Sequence, residues 1–109
     1  MEIELNSPFA AELVKAQTAL MQVIDPELYV NIVDLGLVYG VDFTNEAKVK
    51  VTMTLSTPGC PMGDAITGGV KNALETVFPG REIEVNIVWE PRWNYHMITD
   101  EGKAQMGLE

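Results

Sequence analysis

The sequence predicts an α/β (α+β) domain of two layers with the element order α-β-β-α-β-α, in which a small mixed three-stranded sheet carries the helices on one face. Two long segments repeat apolar residues every three or four positions, which is the spacing of an amphipathic helix. Three short segments alternate apolar and polar residues, as strands with one buried face do. A short hairpin makes the first two strands antiparallel, whereas the helix between the second and third requires a parallel crossover. These patterns do not decide the strand order.

The predicted first helix begins at Ser7 and Pro8, because serine is a good N-cap and proline suits the first helical position. It ends before Pro26, since the residue before a proline is pushed out of helical geometry. Its apolar stripe comprises Phe9, Leu13, Ala16, Leu20 and Ile24. The segment 25–35 has no clean period and is predicted to be an ordered loop.

The three predicted strands differ in the clarity of their patterns. The first covers 37–43 and is followed by a hairpin loop at 44–47. The second is the clearest, and its apolar face carries Val49, Val51, Met53 and Leu55. The apolar face of the third carries Ile83, Val85, Ile87 and Trp89. Because each strand has one polar face, we expect the helices to cover one side of the sheet.

The second and third predicted helices follow the second and third strands. A tight loop at 56–61 leads into the second helix, which ends at Pro79. Within it, Gly68 and Gly69 would cost about 1 kcal/mol each in an exposed helix. They therefore indicate close packing of this helix or a weak point in it. Thr99 is the expected cap of a short last helix that ends at Gly107.

Composition narrows the class of protein. The chain has 109 residues, 16 acidic and 7 basic, with a net charge of −9 and one cysteine. We expect a single domain over 1–109. The charge argues against general nucleic-acid binding and against anionic membrane surfaces. One cysteine excludes an internal disulfide and a Cys₄ zinc site. With no basic, apolar leader and no apolar run of membrane-spanning length, the predicted location is cytoplasmic.

The loop Thr57-Pro58-Gly59-Cys60-Pro61 is the most informative stretch. Pro61 suits the first position of the helix that follows, which puts Cys60 at or beside the N-cap. The unpaired N–H groups and partial positive charge of a helix N-terminus favour the thiolate, the form that binds metals or attacks electrophiles. The alternative is that Cys60 is a small buried apolar residue, as free cysteines often are. Thr57 is a site candidate because it shares this loop.

Three acids of the loop before the first strand form a second candidate group: Asp25, Glu27 and Asp34. Asp25 has an obvious role as a turn former beside a proline. Asp34 lies between apolar neighbours, so it is either tightly hydrogen-bonded or functional. His96 is the one histidine, and nothing in the sequence puts it beside Cys60. A nucleophilic Cys–His pair therefore lacks support, and an enzyme is not expected.

Four ordered motifs carry a resemblance to a known family. They are Asp25-Pro26-Glu27; Asp34-Leu35-Gly36-Leu37-Val38; Val51-Thr52-Met53-Thr54-Leu55 leading into 57–61; and Trp89, Pro91 and Trp93 followed by Met97-Ile98-Thr99. With these the chain resembles the iron–sulfur cluster assembly domain family. That family includes the bacterial SufT and PaaD proteins and a eukaryotic cytosolic iron–sulfur targeting factor. The resemblance covers the chain from about Leu13 onward.

The resemblance implies a role in maturing iron–sulfur proteins, not the turnover of a small metabolite. It implies that Cys60 is the reactive or cluster-contacting residue, and that Asp34 and Thr57 occupy motif positions near it. The PaaD branch carries an additional cysteine-rich tail. Because this chain has none, and no long extension or fused ATPase, we expect a minimal, stand-alone member outside that branch.

Two functions follow from these expectations, with a third ranked last. The first is a cluster carrier or targeting factor for apo-proteins. Iron–sulfur clusters normally need about four thiolates, so Cys60 would be a shared ligand of a labile cluster bridged between chains. A second subunit, a small thiol or a client protein would supply the other ligands. A homodimer would bring two Cys60 loops to one site.

The second function is a metal-free adaptor for the assembly machinery or its clients. Residues 1–34 hold six acids and one lysine, a net charge of −5, so we expect a basic partner on that side. The third function is a thiol-dependent enzyme, which would need a base near Cys60.

Overall fold

A computed structural model of the protein describes residues 6, 8–56 and 63–107, with Gly63 described by its backbone alone. The elements in chain order are α1 Ala10–Leu20, β1 Val38–Asp42, β2 Lys48–Met53, α2 Gly63–Val77, β3 Glu82–Ile87, a 3₁₀ turn Tyr95–Met97 and α3 Asp100–Met106. The predicted order α-β-β-α-β-α is confirmed, with the 3₁₀ turn added before the last helix.

The sheet has the strand order β1-β2-β3, so the clearest predicted strand is its centre. It pairs antiparallel with β1 and parallel with β3, as the hairpin and the crossover require. On β2, Val49, Val51 and Met53 are fully buried, and α1 and α2 pack together over this face. Lys48 lies on the opposite face, with its Nζ 3.4 Å from Glu84 Oε1 on β3. The two faces follow the predicted alternation.

A bulge breaks the alternation in β1. The register shifts between Val38 and Gly40. The strand spans Val38–Asp42, one residue shorter at each end than the predicted 37–43. Leu37, just before the strand, and Val38 are consecutive and both buried, so the predicted alternation fails at this end of β1.

The predicted limits of the first helix are wrong. It begins at Ala10 without a side-chain cap, and Ser7 lies outside the described residues. It ends at Leu20, and Ile24 forms an antiparallel bridge with Asn31 while half of its surface is exposed. The chain reverses here because backbone bonds join 23–25 to 30–32. Ile24 therefore does not belong to the buried stripe.

Packing explains one of the two adjacent glycines of α2, Gly69, but not Gly68. A Cβ on Gly69 would lie 3.3 Å from Val23 Cγ1, just beyond the end of α1. A Cβ on Gly68 would meet nothing within 4 Å. The predicted close packing is therefore confirmed at Gly69, where the missing side chain lets α2 approach the end of α1.

Trp89 does not continue the third strand as predicted. The strand ends at Ile87, and Trp89 is nearly half exposed in the loop beyond it. Since β2 and β3 run parallel, this loop and the segment after Met53 leave the sheet at the same edge.

Candidate functional site

The C-terminal tail folds back on the loop that contains Asp34. Trp93 Nε1 donates to the carbonyl oxygen of Leu35 at 2.6 Å, and the Thr99 backbone N–H donates to the carbonyl oxygen of Asp34 at 2.8 Å. Between them, Gly36 packs directly against the backbone of Met97. Two of the motifs that carry the family resemblance therefore form one contact surface, although about sixty residues separate them in the sequence.

The Asp34 carboxylate is buried and fully engaged in this surface. Asp34 is only 8% exposed. Oδ1 accepts from the Thr99 hydroxyl at 2.9 Å, and Oδ2 accepts from Asn31 Nδ2 at 2.7 Å. Asn31 Oδ1 in turn accepts from the Asp34 backbone N–H at 2.9 Å. Of the two alternatives for Asp34, the structure shows the tightly hydrogen-bonded one. Contact of Asp34 with a cluster stays a prediction.

Thr99 links this network to α3. Its hydroxyl accepts from the Gly102 backbone N–H at 3.1 Å, which confirms the predicted N-cap, and donates to Asp34. A Cβ on Gly102 would lie 2.8 Å from Ile98 Cγ2 and 3.0 Å from the Asp34 carbonyl oxygen. The first turn of α3 thus lies directly on the Asp34 loop.

The Asp25 motif forms a turn at the other end of the same loop. Asp25 is buried, and its Oδ1 accepts from the backbone N–H groups of Glu27 at 2.8 Å and Leu28 at 3.1 Å. This confirms Asp25 as a turn former. Glu27 is exposed on that turn, and its functional role stays a prediction.

Cys60 and Thr57 lie outside the described residues, so their roles also stay predictions. Cys60 follows Ser56, the last described residue before it, by four positions in the sequence. Within the described residues, no group of three or more His, Asp or Glu side chains is arranged to hold a metal ion.

A cleft lies at the end of the described segment 8–56. Its volume is about 260 Å³, and it is lined by Thr54, Leu55, Ser56, Trp89, Glu90, Arg92 and Trp93. The sequence pattern placed Trp89 on the apolar face of the third strand and did not predict this cleft. The parallel pairing of β2 and β3 is the signal that could have found it, because ligand clefts in such sheets lie beyond the carboxyl ends of the strands.

Tyr39 holds the tail beside this cleft. Its hydroxyl donates to the Pro91 carbonyl oxygen at 2.6 Å, and it lies 3.8 Å from Met97 Sδ. Burial raises the pKa of the Tyr39 phenol, and the nearby Glu90 carboxylate raises it further. A hydrogen bond with Thr54 acts in the opposite direction, but the pKa is raised overall. The phenol therefore stays a hydrogen-bond donor to the tail.

We expect the protein to lose stability above pH 10 in part through Tyr39. In the unfolded chain the phenol ionises near its ordinary pKa of 10.0, but in the folded protein it resists ionisation. The contribution of Tyr39 to the free energy of unfolding is therefore fully present below pH 10. It is lost as the pH rises through the higher pKa of the folded protein. Urea unfolding below and above pH 10 should show a smaller loss in Tyr39→Phe than in the wild type. Equal losses would contradict this assignment.

Comparison with known proteins identifies the family. Residues 14–87 match the family model described as "Iron-sulfur cluster assembly protein". The chain belongs to this family. The family predicted from the sequence is thereby confirmed, and with it the expected class of function, iron–sulfur cluster assembly.

Individual relatives agree with the family assignment. The chain is 45% identical over 86 residues, which are 79% of this chain and 98% of the relative, to the "Fe-S protein maturation auxiliary factor SufT" of Staphylococcus aureus (strain USA300). It is 42% identical over 64 residues to an "Iron-sulfur cluster carrier protein" of Mycobacterium tuberculosis (strain ATCC 25618 / H37Rv), covering 59% of this chain and 16% of that protein.

A solved structure supports the fold. The crystal structure of the "Domain of Unknown Function DUF59 from Bacillus anthracis" matches with a TM-score of 0.83 at 42% identity, covering 91% of this chain and 94% of that one. Among the described residues of this family member, no helix is both long enough and apolar enough to cross a membrane.

Proposed function

We propose that this chain is an iron–sulfur maturation factor that carries a labile cluster, as cargo, to apo-proteins, with Cys60 as one of the cluster ligands. The observation that carries the proposal is the meeting of the family motifs. The Asp34 loop and the tail 93–99 form one surface, and the cleft beside that tail includes Ser56, four residues before Cys60. The names of the maturation factor and the carrier protein support the same role.

The single cysteine suits transfer better than storage. A cluster normally takes about four thiolates, and this chain has one. The other ligands would come from a second copy of the chain, a small thiol or the client. Ligands from outside the chain can be exchanged one at a time, so the cluster can pass to a client without unfolding the carrier. In this scheme Asp34 holds the surrounding loop in place, and Thr57 and Glu27 are further candidates for contact with cluster or partner.

Anaerobic reconstitution with iron and sulfide tests the proposal. We expect the intact protein to acquire a visible cluster chromophore and Cys60→Ser to lose most of it, because the thiolate ligand is gone. Far-UV circular dichroism of the variant checks that its fold is retained. An identical chromophore in Cys60→Ser would overturn direct ligation by this residue. Size-exclusion chromatography of the loaded protein should show a dimer if two chains share the cluster.

The acidic N-terminal third favours a second candidate, a metal-free adaptor. Residues 1–34 carry a net charge of −5, which would steer basic partners to this side of the domain. A pull-down of assembly proteins or clients that survives Cys60→Ser, with no metal bound at any stage, would favour this candidate. For either function the cytoplasm is the proposed location.

A further inference from the structure

One side of α1 is apolar and exposed, although the opposite side already packs into the core. The core side carries the three buried residues of the helix, Ala16, Ala19 and Leu20. On the other side, Val14, Thr18 and Met21 recur at spacings of four and three residues and are all exposed. The Thr18 hydroxyl donates to the Val14 carbonyl oxygen at 2.9 Å, so the helix already satisfies it. A surface helix normally carries charged residues on this side, and this stripe has none.

The apolar surface continues into the turn that follows α1. Ile24 is 50% exposed and Tyr29 is 80% exposed. The Asp25 N–H donates to the Val30 carbonyl oxygen at 3.0 Å, and the Tyr29 N–H donates to the Asp25 carbonyl oxygen at 2.8 Å, so the turn is compact. Of the six large hydrophobic side chains that are exposed in the described part of the chain, four therefore lie on α1, at its end or on this turn. Together with Thr18 they form the α1 face, which comprises Val14, Thr18, Met21, Ile24 and Tyr29.

Tyr29 is held in a backbone conformation that costs stability. Its φ is +60°, in the left-handed region that favours glycine. Because the side chain is largely exposed, burial offsets little of this cost. Within residues 8–56 and 63–107 its hydroxyl has no hydrogen bond and its ring has no aromatic or cationic contact. A strained residue whose side chain does not stabilise the fold indicates a role in binding.

Charge decides which kind of partner fits the α1 face. Asp25 and Asp34 are buried within and just after the turn. In the part of the chain that the structure describes, their carboxylates accept hydrogen bonds from uncharged donors alone, so no cation neutralises them. Glu27 adds an exposed acid on the turn itself. Because each chain carries a net charge of −9, a second copy is repelled and a basic partner is attracted.

We propose that the α1 face docks a basic amphipathic helix of a partner protein. A stripe with spacings of four and three residues is the surface against which a second helix packs. The apolar residues of the partner helix cover Val14, Met21 and Ile24, and one of its lysines or arginines lies on the face of the Tyr29 ring, as a cation–π contact, beside Glu27. The inference rests on the basic partner of the adaptor candidate and names its surface. It does not depend on the carrier function, because no cluster takes part.

A synthetic helical peptide of leucine and lysine, with the leucines at helical spacing and a fluorescent label, is the probe. We measure its fluorescence anisotropy against the full-length, metal-free protein. The lysine peptide should bind saturably, and a matched peptide with glutamate in place of each lysine should not. Met21→Ser/Tyr29→Ser leaves the net charge unchanged and should bind at least about 10-fold more weakly, which corresponds to about 1.4 kcal/mol. Far-UV circular dichroism checks that this variant keeps its fold.

The control variant is Tyr95→Ser, which removes an exposed tyrosine of the C-terminal tail, outside the α1 face. It should bind the lysine peptide like the wild type, because net charge alone does not determine binding. Equal affinity in Met21→Ser/Tyr29→Ser and the wild type, equal loss of affinity in Tyr95→Ser, or equal binding of the two peptides would each overturn the proposal.

Tyr29→Gly separates binding from folding. Glycine adopts a positive φ without strain, so the thermal midpoint of this variant should be at or above that of the wild type. Its affinity for the lysine peptide should nevertheless fall. A lower midpoint would show that Tyr29 stabilises the fold, and this would overturn the argument from strain. Unchanged affinity would overturn the contact with Tyr29.

Two further measurements decide between possible occupants of the α1 face. A wild-type dimer in size-exclusion chromatography that becomes a monomer in Met21→Ser/Tyr29→Ser would show that a second copy covers the face. Co-sedimentation with phosphatidylcholine vesicles that the same variant abolishes would show a lipid surface. Either result would overturn the partner helix. If the peptide binds as expected while no cluster can be reconstituted, the carrier function fails and the docking surface stands. If a cluster forms and the peptide does not bind, the docking surface fails alone.

Discussion

Gly36→Ala should lower the free energy of unfolding by about 3 kcal/mol, from two effects that add. Gly36 has φ +77°, in the left-handed region, where an alanine costs about 1–2 kcal/mol. In addition, its Cβ would overlap the carbonyl oxygen and carbon of Met97. These are backbone atoms, so they cannot rotate away, and forced overlap in a packed site costs about 1–3 kcal/mol. Urea unfolding of both proteins measures the difference.

Gly80→Ala is the matched control for the backbone effect. Gly80 also has a positive φ, +85°, but a Cβ there would meet nothing within 4 Å. It should therefore cost only the conformational part, about 1–2 kcal/mol. If both variants lose the same stability, the contact between Gly36 and Met97 is not tight.

Asp34→Ala is the second large expected effect, a loss of about 3 kcal/mol. The substitution removes the acceptor of two hydrogen bonds in a buried site, leaving Asn31 Nδ2 and the Thr99 hydroxyl without it. Hydrogen bonds to a charged group contribute about 1.5–3 kcal/mol, and a buried donor without an acceptor adds its desolvation cost. Asp100→Ala, an exposed acid next to Thr99, should cost no more than about 1 kcal/mol through the helix dipole.

A double-mutant cycle separates the network from general loss of packing. Thr99→Val removes both the helix cap and the bond to Asp34. The double variant Asp34→Ala/Thr99→Val should lose less stability than the sum of the single variants, because the two residues share one interaction. Strict additivity would contradict the network. Thr99→Ser, which keeps the hydroxyl, should stay close to the wild type.

The sequence predicted most reliably the parts of the fold whose burial depends on local pattern. The alternation around Val51 predicted the central strand, and the cap at Thr99 predicted the last helix. Expectations based on the pattern alone were wrong at the ends of elements, where backbone pairing and not the side-chain pattern decides where a helix or strand stops. In the sequence, Ile24 continues the apolar stripe of the first helix. In the structure, its backbone pairs with Asn31 instead. The predicted strand position of Trp89 was wrong for a similar reason, since the sheet ends before it.

For the candidate site, too, some features follow from the sequence and others only from the tertiary structure. The sequence by itself determined the candidate features: the one cysteine in its Pro-Gly-Cys-Pro loop, Asp34 between apolar neighbours and the excess of acids over bases. These follow from residue type and spacing, which need no three-dimensional information. Only the tertiary structure decided that Asp34 is bonded to Thr99, 65 residues away, and that Trp89 and Arg92 share a cleft with Ser56. These contacts join segments that are far apart in the sequence. The pattern of a segment predicts which of its faces is buried, but not which distant segment packs against that face.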